Sequence, residues 1–251
     1  DAGLQVMSGF QRVEENVDIR TGYIDQVDVQ SFDLMAGYAW RYNKGLFKRL
    51  SFDVGGMVLQ DSYGHAAGEN FEAMVFSDLF SLIEVHGGFS IGRRRYQVRD
   101  AEDELVWAPD FIRTYGGNLD FDWERGGFLK EVSVEGAWQK RGVYVEDWTA
   151  VVPGTQTSVE AQLVLRPRAN LEWSVEGDWI RQTVDGTGAE AFNGLAYETA
   201  LHYQLTRRLF LNTRLLGETR DDQYSLDFLV GYYFGAGNIV QLAFKKSERS
   251  E

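Results

Sequence analysis

Three histidines, one run of arginines and many closely spaced carboxylates are the side chains with chemistry to offer in this sequence. A metal site needs histidines or carboxylates at ligand spacing, and His65, His86 and His202 stand far apart in sequence without it. Nucleophilic hydrolysis needs a hydroxyl within hydrogen-bond reach of an imidazole. Ser90 and His86 are the local candidates, but four residues along a strand separate them by about 13 Å. Asp120 with Asp122, and Glu176 with Asp178, sit two apart, hence about 6–7 Å on one strand face. That is close to glycosidase spacing, yet such pairs recur along the whole chain and read as one acidic wall. "GRRRYQVR", residues 92–99, is the one basic cluster. It could meet lipid phosphates at a membrane rim, and reads first as a solvated loop base. The glycines of "GGNLDF" and "GAGNIV" suit turns, and no helix follows them to make a phosphate loop. The expectation is no catalytic residue, no metal site and no cofactor, and therefore not an enzyme.

The surroundings of those carboxylates carry more information. The formal net charge is −13 over 251 residues, so nucleic acid is not an expected partner. There is no Cys, which excludes disulfides and thiolate chemistry. No run of about 18 apolar residues occurs, so a membrane-crossing chain would have to cross as a β-barrel. In "NLDFDWERGGFLKEVSVEGAW", residues 118–138, Leu119, Phe121 and Trp123 alternate with Asp120, Asp122 and Glu124. The same period of two runs from end to end and predicts thirteen strands. They fall at 4–13, 30–43, 49–62, 70–78, 82–96, 110–125, 128–144, 155–167, 170–184, 193–206, 209–220, 223–235 and 238–249. "FEAMVFSDLFSLIEVHGGF" could be drawn as a helix, but the alternation of Ile83, Val85, Phe89 and Ile91 favours strands.

Connections alternate in length. Tight ones are "NKGLFKR", "SDLFS", "ERGG", "RPRAN", "LTRR" and "GAGN". Longer polar ones are 14–29, 62–70, 97–109, 145–154 and 185–192. Short turns at one end and long loops at the other are the habit of outer-membrane barrels. The strands are long for a soluble sandwich. Big aromatics collect near the ends of the apolar faces, as in interfacial girdles. The expected fold is an all-β, antiparallel up-and-down transmembrane β-barrel. Its lipid-facing aromatics would be Trp40, Phe121, Trp123, Trp138, Trp173, Trp179, Tyr203, Phe228 and Tyr232. Its lumen-facing acids would be Asp33, Asp53, Glu84, Asp120, Asp122, Glu124, Glu135, Glu172, Glu176, Asp178, Glu198 and Asp227. Bases on that parity are few: Arg41, Arg166, Arg214 and Lys245. Carboxylates crowded in a dry core would cost several kcal/mol each, so the acidic face demands water or partners.

"RTGY" at 20–23, ahead of "SFDLMAGYAWRYN", and "LHYQLTRRLFLNTRLLGETRDDQYSLDFLVGYYFGAGNIVQLAFKK" near the other end resemble the C-terminal part of a family of bacterial outer-membrane proteins of unknown function. In that family a carbohydrate-binding-module (family nine)-like domain precedes a membrane β-barrel. The resemblance runs along most of the chain and rests on pattern and a few short motifs. Two departures stand out. The family's N-terminal domain and first barrel strands have no counterpart here, and the sequence stops in "KKSERSE" where the family runs on to a further strand with an aromatic end. The resemblance implies one barrel domain over 1–251, as part of a longer barrel. It also implies a bacterial outer-membrane location, outer-membrane lipid and lipopolysaccharide as partners, and a link to carbohydrate through a domain absent here. Passage of solutes or surface display is the expected role. The competing reading is a soluble secreted or periplasmic β-sandwich that binds glycans, and dependence on detergent separates the two.

Overall fold

The computed structural model describes residues 2–13, 29–42, 45–80, 82–102, 105–145, 149–219, 223–235 and 238–249. "RTGY" at 20–23, and nearly all of the 14–29 connection, lie outside them. The described chain is all-β. Thirteen strands form one antiparallel sheet, each beside its neighbour in sequence: β1 (Ala2–Val13), β2 (Val29–Arg41), β3 (Phe47–Asp61), β4 (Ala66–Leu79), β5 (Ile83–Arg94), β8 (Ile112–Glu124), β9 (Leu129–Val145), β10 (Ala150–Arg168), β11 (Leu171–Val184), β12 (Glu190–Gln204), β13 (Leu209–Glu218), β14 (Gln223–Gly235) and β15 (Asn238–Arg249). β6 (Gln97–Arg99) and β7 (Leu105–Trp107) make a small separate hairpin between β5 and β8. The stretch that could be drawn as a helix is the end of β4 and the start of β5.

Several connections are shorter than the sequence suggests. β4 opens at Ala66, β10 at Ala150 and β12 at Glu190, so residues expected in the loops 62–70, 145–154 and 185–192 extend the strands. Two exchanged hydrogen bonds per pair of residues keep a ladder growing until a turn residue stops it. Even Pro153 lies within β10, opposite Gly142. The 97–109 loop is a correction of another kind, because it holds the β6–β7 hairpin. At the tight β4–β5 turn Phe80 takes a left-handed backbone, φ 54°, and its N–H donates to the Leu46 carbonyl in the neighbouring turn at 2.9 Å.

Residues directly opposite each other on paired strands share a face. Tyr38, Phe52, Val75, Gly87, Leu119, Gly136, Val159, Trp179 and Leu195 form one such row across β2 to β12. Ala39, Ser51, Phe76, His86, Asp120, Glu135, Glu160 and Asp178 form a row on the reverse face. Among the described residues no second sheet covers either face. The large apolar side chains are widely exposed, Leu119 at 61 % and Phe71 at 52 %. Most of the buried apolar residues lie at the long-connection end, among them Val29, Leu59, Ile112 and Val143 and, in the 95–111 segment, Tyr96 and Ala108. The Tyr96 hydroxyl accepts the Gly142 N–H at 3.0 Å. The Tyr96 ring stands where a side chain on Gly142 would, its nearest carbon 2.6 Å from that position, so only glycine fits there.

The same end holds a well-satisfied turn. Asp61 accepts the N–H groups of Tyr63 at 3.0 Å and His65 at 2.7 Å, and its other oxygen meets the His65 ring at 2.9 Å. Burial pushes the Asp61 carboxyl up, but the His65 N–H, the His65 ring and its charge, and the Tyr63 N–H together outweigh it and hold the group below its ordinary range. A carboxyl lowered by folding stabilises above its unfolded pKa, and that stabilisation is lost as pH falls through the folded value. Asp61→Asn should therefore cost about 1 kcal/mol at neutral pH and less at strongly acidic pH, as the folded carboxyl takes up its proton. Urea unfolding at both pH values is the check, and an equal loss at both contradicts it.

Candidate functional site

All twelve predicted acids fall on one face of the sheet. Asp33 lies opposite Gly9 and Met57, Asp53 opposite Gly37 and Met74, and Glu84 opposite Asp122. Asp120 lies opposite Glu135, Glu124 opposite Glu131, and Glu176 opposite Glu198. Asp178 lies opposite Glu160, Glu172 opposite His202, and Asp227 opposite Arg214. The nine aromatics fall on the reverse face. Five of them stand within a few residues of a short turn: Trp40, Trp123, Trp173, Tyr203 and Tyr232. Trp138 and Trp179 lie deeper in their strands, towards the long-connection end, and Phe121 and Phe228 fill the band between.

The acidic face is electrostatically divided. Across β12 to β15 Glu198 and Asp227 are matched by bases, while Glu218 on the same face is not matched among the described residues. Arg214 grips Glu198 through two nitrogens, at 2.6 and 2.5 Å. Lys245 stands 3.8 Å from Asp227, and Asp227 lies opposite both Arg214 and Lys245. Near the β10–β11 turn, Glu172 accepts from Arg166 at 2.6 Å and from Lys130 at 3.4 Å. Across β8 to β11 the pattern is the reverse. Asp120, Glu135, Glu160 and Asp178 stand side by side on four successive strands, carboxylate opposite carboxylate. Like charges so placed destabilise a sheet, and among the described residues no lysine or arginine is paired with any of these four. One edge of the row is bordered by His86, whose ring lies 3.8 Å from Asp120, 3.7 Å from Glu84 and against the Phe76 ring at 4.3 Å.

Ser90 lies opposite Glu72 and His86 opposite Phe76, four residues apart along β5. His202 binds the Asn212 side chain at 2.5 Å and His65 binds Asp61, so the three histidines serve three separate local roles. Among the described residues no group of three His, Asp or Glu side chains could hold a metal ion. The sequence reading placed the acids on one parity but missed their division into a compensated and an uncompensated half. Pairing register carries that division, and only the sign alternation of Glu198, Arg214, Asp227 and Lys245 hinted at it.

No family model matches the chain, and no curated protein does. Among solved structures, the siderophore receptor PirA from Pseudomonas aeruginosa is similar, with a TM-score of 0.42 and 10 % sequence identity. The match covers 88 % of this chain and 57 % of the receptor, so the chain spans little more than half of that protein's length. At this level the likeness carries no argument about function.

Proposed function

We propose that the chain is the membrane-embedded sheet of a bacterial outer-membrane β-barrel, with its aromatic face towards lipid and its acidic face towards a water-filled interior that passes small solutes and favours cations. The observation that carries this reading is a wide apolar face left uncovered: Leu119, Phe71 and Ile91 are more than half exposed on it, while the reverse face carries the acids. In water such an apolar face would be an aggregation surface, whereas in a bilayer it is the ordinary exterior of a barrel. A glycan-binding β-sandwich needs two sheets packed about 10 Å apart, whereas thirteen of the described strands form one sheet and the other two only a short hairpin.

In hydrocarbon every backbone polar group must be paired. β1 and β15 each have one neighbour, so the barrel reading requires further strands at both edges. In a thirteen-stranded meander the two end strands run in the same direction. An odd number of additional strands would restore antiparallel pairing all round, as even-numbered bacterial barrels have it.

Labelling of single cysteines tests the orientation. Cysteines at Leu119, Phe121 and Trp123 should react with lipid-phase reagents, and those at Asp120 and Asp122 with water-soluble ones. Reversed labelling turns the sheet inside out, and a chain that is monomeric without detergent ends the membrane reading.

A further inference from the structure

The aromatic face does not stay apolar to its upper margin. At the long-connection end a groove of about 550 Å³ runs over β5 and β8. Its floor is Phe89, Ile91 and Tyr115, all on the aromatic face, and its head is Arg93 and Arg113. Arg93 and Arg113 lie directly opposite each other, one step beyond the opposed pair Ile91 and Tyr115. Lys140 of β9 lies opposite Tyr115, diagonal to Arg113. Two arginines thus head an apolar groove that Glu69 also lines, with Lys140 in the adjoining cleft beside Arg113 and Tyr115.

Two of these cations already have partners and one has none among the described residues. Arg93 is held by Glu69 at 2.9 Å and rests on the Phe111 ring at 5.0 Å. Lys140 pairs with Asp185. Arg113 is exposed and makes no side-chain hydrogen bond or ion pair among the described residues. Two guanidiniums directly opposed on neighbouring strands repel. An anion with several oxygens between them turns that repulsion into charge-assisted, forked hydrogen bonds. The apolar floor below asks that the anion carry hydrocarbon.

We infer that this groove binds a phosphorylated lipid, the phosphate on Arg93, Arg113 and Lys140 and an acyl chain along Phe89 and Ile91. The inference rests on the membrane orientation proposed above. The groove lies at the end with the longer connections, which in outer-membrane barrels faces outward, so the lipid is lipopolysaccharide and its lipid A phosphate is the group held. "GRRRYQVR" thereby acquires a role that splits by parity, since Arg93 falls on the lipid side and Arg94 on the reverse.

The test is binding of fluorescent rough lipopolysaccharide to the detergent-solubilised chain and to the chain in phosphatidylethanolamine vesicles. Arg93→Gln, Arg113→Gln and Lys140→Gln combined should weaken binding at least about tenfold, as should removal of the lipid A phosphates. Arg113→Gln alone breaks no ion pair, leaves the sheet intact by circular dichroism, and should weaken it about threefold. Lys245→Gln on the acidic face should leave lipopolysaccharide binding unchanged. Undiminished binding by the triple variant in a chain that inserts into vesicles overturns this inference alone. Equal affinity for phosphatidylglycerol overturns the assignment to lipopolysaccharide. A chain that stays soluble and does not enter vesicles overturns both this inference and the membrane reading beneath it.

Discussion

Leu119→Arg should lower unfolding stability in lipid by about 2–4 kcal/mol, the cost of a cation on the lipid face near the bilayer midplane. The position is chosen for its depth. On β8 it stands midway between Tyr115 and Trp123, the aromatics near either end of the strand's apolar face. On the two neighbouring strands it is flanked by Gly87 and Gly136, so no bulky neighbour would clash with the longer side chain. Its 61 % exposure makes the experiment decisive. A leucine so exposed to water can become arginine with a change within about ±0.5 kcal/mol. The two environments therefore predict different outcomes for one substitution. Asn118→Arg, next along the strand on the reverse face, should be nearly neutral, since that side chain already meets water. Urea unfolding of vesicle-embedded protein, followed by tryptophan fluorescence, reads both variants. A neutral Leu119→Arg removes the lipid-face assignment.

The strands were legible because a sheet with one apolar face writes its period of two into the sequence. Leu119, Phe121 and Trp123 announce both the strand and its face, and "ERGG" announces the turn that reverses it. Less legible were elements too short to show a period. β6 and β7 have three residues each, and their hairpin is fixed by long-range contacts such as Tyr96 on Gly142. Partners across strands were least legible. A register slip of one residue moves every side chain to the other face, and the ladder carries irregularities, between Val164 and Leu165 on one side of β10 and between Leu165 and Arg168 on the other. Turn sequences do not state such shifts. That Arg214 meets Glu198, or that Arg113 opposes Arg93, becomes visible only once the strands are paired. The carboxylates of Asp120, Glu135, Glu160 and Asp178 lie far apart in sequence and form a row only through three successive registers.

That row carries the second large effect. Replacing Asp120, Glu135, Glu160 and Asp178 by the corresponding amides should bring the cation-to-anion permeability ratio of the closed barrel down several-fold, towards unity. Carboxylates lining a narrow, low-dielectric passage focus a field that attracts cations and excludes anions. Acids already matched by bases contribute little to that field, because each pair is close to neutral a few ångströms away. The acids paired with Arg214 and Lys245 are of this matched kind, so Glu198→Gln with Asp227→Asn should favour anions by exposing the two cations. Arg214→Gln with Lys245→Gln should favour cations further. The three variants thus predict three different shifts from one wall. Reversal potentials across a KCl gradient in a planar bilayer measure them, and each shift should shrink as salt approaches 1 M, where the screening length falls to about 3 Å. The β8–β11 quadruple variant serves as the reference, since it removes like-charge repulsion and should raise stability while selectivity falls. Stability that rises with selectivity unchanged would place the four carboxylates away from the conducting path.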